Sequence, residues 1–167
     1  MTNKLIQTLA VVLALVFAGN VLAGHHSEAT SKSALALDVG QSDAEQAALQ
    51  VMYEFMASFN SRDVPRWADT LLFPHVRVAS GGVTVNPTKG AFVAETDLEE
   101  FARINNWHHS EWNSIETIQA DAQKVHFKVR FTRFNPKGEA YVAFNSLYVL
   151  QKTEQGWGIR ARSSFAP

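Results

Sequence analysis

Residues 47–78 read AALQVMYEFMASFNSRDVPRWADTLLFPHVRV, two helical patterns with a break between them and the opening of a strand. Ala48, Val51, Met52, Phe55, Met56 and Phe59 recur at three- and four-residue spacing, which predicts a helix with one buried face. Asn60-Ser61-Arg62-Asp63 stops that pattern. Asp63 is placed to cap a second helix through its side-chain oxygen, and Pro65 fits a first turn whose amide needs no partner. Trp67, Ala68 and Leu71 supply the inner face of this second helix, and Pro74 is expected to end it. A strand carrying His75 and Arg77 follows. Two such helices need a sheet to cover, and the gap between helices and sheet is where a pocket is expected.

The chain of 167 residues is long enough for one domain with a single core. Its 15 basic and 16 acidic residues leave a formal charge of −1, too little field to hold a nucleic acid or an anionic membrane. Cysteine is absent, which excludes disulfides, thiol catalysis and cysteine-ligated metals. At the N-terminus, Lys4 precedes the apolar run LAVVLALVF at residues 9–17, and Val21-Leu22-Ala23 has the small residues of a cleavage site. Residues 1–23 are therefore expected to be a signal peptide and the protein periplasmic or secreted, with a retained anchor as the alternative. The run is shorter than the ~20 residues of a membrane span. Residues 24–41 are Ser-, Ala- and Thr-rich without periodicity and are expected to be a flexible linker, and Ser42-Asp43-Ala44-Glu45 forms a capping box that places the start of the folded domain, 42–167.

Gly81-Gly82 predicts a tight hairpin joining strands at 76–80 and 83–86. Residues 91–94 suggest another short strand, and Thr96-Asp97-Leu98-Glu99 is a second capping box opening a helix to about Asn106. Long strands are expected near 111–119, 124–134, 139–151 and 157–165, with Asn135-Pro136-Lys137-Gly138 and Thr153-Glu154-Gln155-Gly156 as turns. In the second of these, Val125, Phe127, Val129 and Phe131 face one way and His126, Lys128, Arg130 and Thr132 the other. The third is apolar on both sides, Val142, Phe144, Tyr148 and Leu150 against Tyr141, Ala143, Leu147 and Val149, so its second face is expected to pair with another copy as a homodimer.

This order, carried by FNSRDVPRWADTL, FPHVRVASG, WHHSEWNSI and YVLQKTEQGWGIRARSSF, resembles the nuclear-transport-factor-2-like family, also called SnoaL-like. The resemblance implies an α+β fold: N-terminal helices packed on a strongly curved, mostly antiparallel sheet, a cystatin-like cone in a single domain. It implies less about chemistry, since that cone hosts isomerases, dehydratases, hydrolases, cyclases and binding proteins. Where ketosteroid isomerases carry a Tyr in the first helix this chain has Phe55, and their general-base Asp falls near Ala79. The dehydratase type has a His at the start of the first long strand, where His108-His109 stands here.

His75 and Arg77 share one strand face, an imidazole beside a cation that binds a carbonyl or carboxylate, although alternation alone leaves open whether Val76 and Val78 point inward instead. His75 and His109 are the candidate catalytic residues, and Arg77, Tyr53, Trp67 and Trp112 the candidate ligand-binding residues. Adjacent histidines with Glu111 do not make the ligand set of a zinc site, so no metal or cofactor is expected. Arg130, Arg160 and Arg162 read as solvated charges on an outer strand face, a cationic patch being the alternative. The expected function is an exported module binding a small, largely apolar molecule. The alternative is a cofactor-independent lyase, isomerase or hydrolase, which a buried carboxylate, Asp69 or Glu111, beside either histidine would favour.

Overall fold

The computed structural model describes residues 27–167, with side chains from Asp43 onward. Helix α1 (Ser27–Asn60) leads into α2 (Val64–Asp69), the hairpin β1 (Leu71–Ala79) and β2 (Gly82–Asn86), α3 (Lys89–Glu95), α4 (Leu98–Ile104), and the meander β3 (His109–Ala120), β4 (Lys124–Phe134), β5 (Ala140–Thr153) and β6 (Gly156–Ser164). The six strands form one sheet in the order β2-β1-β6-β5-β4-β3. Only the β1–β6 pair is parallel. The domain is thus an α+β cone, its helices lying against the inner face of the curved sheet.

Burial follows the sequence pattern on that inner face. Ala48, Met52 and Phe55 of α1 and Trp67 and Ala68 of α2 meet Val125, Phe127 and Val129 of β4, Tyr148 and Leu150 of β5 and Ile159 of β6. Each large apolar side chain removed from water there contributes roughly 1.5–3 kcal/mol, which is what holds helices to sheet. Local chemistry sets the ends: Asp63 accepts from the Arg66 amide at 3.0 Å to start α2, and Gly138, at φ 79°, closes the β4–β5 turn with its amide on the Asn135 carbonyl at 2.9 Å.

Four local expectations are corrected. α1 is already helical at Ser27, so the Ser42 capping box lies inside it; the Ala- and Leu-containing segment before Ser42 propagates helix. The expected signal sequence 1–23 lies outside the described residues. Residues 91–94 belong to helix α3, because the Thr88 hydroxyl accepts from the Ala91 amide at 3.2 Å and Phe92 turns into the core. Asp97, not Thr96, caps α4, accepting from the Glu100 amide at 2.8 Å, while Thr96 donates back to the Phe92 carbonyl. Pro74 lies within β1, and α2 ends earlier, at the Thr70 cap.

Candidate functional site

A cavity of about 310 Å³ lies between the helices and the inner sheet face. Its walls come from α1 (Phe55, Phe59), α2 (Trp67), α3 (Phe92), α4 (Phe101) and the sheet (Trp112, Phe131, Tyr148). The aromatic rings hold one another. Phe55 and Trp67 have centroids 5.4 Å apart, Phe59 and Trp67 4.9 Å, and Trp67 and Phe92 5.1 Å. Such tilted pairs add stability beyond their buried area and fix the wall geometry. Asn60, at the end of α1, clamps β3 to the helix: its side chain donates to the Ser110 carbonyl at 2.8 Å and accepts from the Ser110 amide at 2.9 Å. That clamp sets the register which turns Ser110 and Trp112 inward, and the Trp112 indole then donates to the Met52 carbonyl at 3.3 Å.

Three arginines enter this apolar space: Arg77 from β1, Arg133 from β4 and Arg162 from β6. Arg133 is buried, its guanidinium carbon 5.0 Å from the Phe101 ring centre and 5.1 Å from that of Phe144. Arg162 lies over Phe55 and Trp67 at 5.4 and 5.5 Å. Arg77 donates to an oxygen of Pro167, the last residue of the sequence, at 2.5 Å and to the Ala166 carbonyl at 3.5 Å. Burial, and then the charges of Arg162 and Arg133, hold the Arg77 pKa below the ordinary arginine value. Burial does the same to Arg133, opposed by the Tyr141 hydroxyl, which reaches its guanidinium. Among the described residues no Asp or Glu side chain forms an ion pair with any of the three.

The structure brings Arg77, Trp67 and Trp112 together on the cavity lining and leaves the other expected site residues off it. His75 shares the inner face of β1 with Arg77 but is fully buried beside the cavity lining. Its Nδ1 donates to the Ile159 carbonyl at 3.0 Å, which leaves Nε2 as a lone-pair nitrogen with no partner. Burial, together with Arg162 and more weakly Arg160 and Arg77, lowers its pKa to about 4, so it is neutral and a weak base at physiological pH. His109 faces the opposite way. Ser110 and Trp112 point into the cone, so strand alternation sends His109 and Glu111 to the outer face, where His109 stacks on Phe134 at 4.7 Å and pairs with Glu111 at 3.4 Å. Tyr53 is exposed on the far side of α1, because it lies one position off the Met52–Phe55–Met56 stripe. Asp69 pairs with Lys89 at the surface. No carboxylate therefore orients a histidine toward the cavity, and among the described residues no cluster of histidines and carboxylates is arranged to hold a metal ion.

Arg133 is a site residue that the sequence reading passed over, and Arg162, expected as a solvated charge on an outer strand face, instead lines the cavity over Phe55 and Trp67. Arg133 was legible: it is the next step after Val125, Phe127, Val129 and Phe131 on the apolar face of β4. Arg162 was not, because a register shift between Val149 and Leu150 of β5 inserts Arg160 as an extra residue in β6. Ile159 and Arg162 thereby both face inward, which strict alternation forbids. Arg160 instead donates to the Phe73 carbonyl at 2.8 Å.

Helices packed on a strongly curved, mostly antiparallel six-stranded sheet place the domain in the cystatin-like class of α+β proteins. Residues 44–165 match the family described as NTF2-like protein (DUF6841), and the chain belongs to that family. An NTF2-like protein with a cystatin-like fold from Novosphingobium aromaticivorans is similar in structure, with TM-score 0.62 at 8% identity over 85% of this chain and 90% of that one. A Catenulispora acidiphila protein in complex with S-DNPA has TM-score 0.60 at 15% identity over 75% and 94% of the two chains. A ketosteroid isomerase-like protein from Erwinia carotovora atroseptica has TM-score 0.52 at 19% identity over 73% and 96%. At these identities the likeness is one of fold. No curated protein matches the chain in sequence.

Proposed function

We propose that the protein is a binding module that holds a small, largely apolar molecule inside the cone. The observation that carries this reading is the cavity itself: about 310 Å³, within the range of small-molecule sites, and walled by Phe55, Phe59, Trp67, Phe92, Phe101 and Trp112 from five different elements. The Catenulispora relative in complex with S-DNPA supports a ligand-holding use of this fold. Export to the periplasm or the exterior is part of the proposal, supported by the apolar run at residues 9–17 with its small-residue site at Ala23. No helix among the described residues is long and apolar enough to cross a membrane. A homodimer is also proposed, through the outer sheet face, where Leu147 and Ile118 are exposed. Tyr141 is not part of that face as expected, since its hydroxyl turns toward Arg133.

The reading is tested by titrating the full chain with 2-naphthamide, a neutral two-ring compound, and following tryptophan fluorescence. Saturable quenching that Trp67→Leu reduces, with the variant still folded, is the expected result. A linear, unsaturable response identical in wild type and variant would remove the cone as a binding site.

A further inference from the structure

The arginines narrow the ligand to a chemical class. Resting on the proposed apolar-cavity reading, we infer that the cone is a receptor for a carboxylic acid whose apolar ring body fills the aromatic walls and whose carboxylate sits among Arg77, Arg162 and Arg133.

Three observations carry the inference. The first is register. Thr84, Arg77, Arg162 and Tyr148 are successive partners across β2, β1, β6 and β5, so they form one row on the inner face, and all four line the cavity. Two arginines directly opposite each other in a sheet repel, and a half-apolar surrounding screens that repulsion poorly. The second is the missing counter-charge. Among the described residues Asp97 is the one side-chain carboxylate on the lining, and it caps α4 without forming an ion pair with any of the arginines; Arg77 is met by an oxygen of Pro167, so the counter-charge is missing at Arg162 and Arg133. The third is the sign of the unmet hydrogen bonding. The buried polar side-chain atoms of the lining that lack a partner are Trp67 Nε1, Arg133 Nε and Arg162 Nε, and every one is a donor. A site that offers only unmatched donors and positive charge is complementary to an acceptor that is negative, and the planar guanidinium fork matches a carboxylate in two parallel bonds. The aromatic faces beneath Arg162 and Arg133 hold the guanidinium planes in place for that contact without neutralising them.

The test compares 2-naphthoate with 2-naphthamide, which share one ring system and differ in charge, and includes inorganic phosphate as an anion without an apolar body. With the full chain at low salt, 2-naphthoate is expected to bind about tenfold or more tightly than the amide, and the preference to shrink as salt is raised. Arg162→Gln should erase the preference for the acid over the amide, because it removes a cation that has no acidic partner and leaves the aromatic walls in place. Equal affinity of wild type for acid and amide would overturn the carboxylate assignment and leave the apolar cavity standing. Binding of neither compound would remove the apolar cavity and this inference with it. Phosphate binding as tightly as 2-naphthoate would overturn the requirement for an apolar body. An Arg162→Gln protein that melts well below wild type while keeping the preference for the acid would show the arginine to be structural and also overturn the assignment.

Discussion

At the scale of single residues, the buried imidazole of His75 ties stability to pH. Its folded pKa of about 4 lies below the usual value of 6.5, so the unfolded chain takes up a proton that the folded chain refuses. Stability from this group is complete above about pH 6.5 and is lost as pH falls through the window down to about 4, by ~3 kcal/mol if the whole shift is expressed. Thermal melts between pH 7 and 4.5 should show Tm falling in wild type and falling less in His75→Gln, whose amide N–H is able to keep the bond to the Ile159 carbonyl. A parallel fall in both proteins would assign the pH dependence elsewhere. Asn60 carries a different kind of weight. Asn60→Ala deletes both bonds to the Ser110 backbone and leaves a nearly inaccessible amide unpaired, so a loss of roughly 1–3 kcal/mol is expected in denaturant unfolding. The same variant should disturb the environment of Trp112, which the clamp positions; an unchanged midpoint would show the clamp to be dispensable.

Elements were read from the sequence as well as their side chains were periodic. The apolar stripe of α1 and the alternation of β4 each name one buried face without ambiguity, and the folded molecule buries those faces. Arg133 belongs to the same periodic signal, carried one step past its last apolar residue. The β1 face was undecided because Val76 and Val78 are as apolar as His75 and Arg77 are polar; tertiary packing against β6 turns the polar pair inward and leaves Val78 exposed. In β6 the bulge at Arg160 breaks the period of two, so no rule of alternation assigns Arg162 to the cone. Residues 91–94 misled for a simpler reason: they are too few to show a period, and the Thr88 cap decided for helix. The close fit of β1 to β6 has its own consequence at Gly158, where an added Cβ would stand 2.7 Å from Leu72 Cγ. Gly158→Ala is expected to destabilise the protein by roughly 1–3 kcal/mol, and Leu72→Ala in the same chain should recover part of that loss. Purely additive effects in the double variant would place the strain elsewhere.

For the whole molecule, the helices and the concave sheet face enclose a binding cavity, and the convex face is left for a partner. Leu147 stands exposed between Lys128 and Ser163 on that outer face. If two copies pair there, sedimentation at micromolar concentration should give a dimer for wild type and a monomer for Leu147→Glu, which sets like charges against each other across the symmetric contact. A monomeric wild type would end the dimer proposal without touching the cone. The cone itself is tested most directly by the four indole N–H signals of Trp67, Trp107, Trp112 and Trp157 in an 15N-labelled sample. Trp67 and Trp112 line the cavity, whereas Trp157 lies outside it. Adding 2-naphthamide should move the Trp67 and Trp112 resonances in a saturable way and leave Trp157 in place. Movement of Trp157 alone, or of none of the four at saturating probe, would contradict the account.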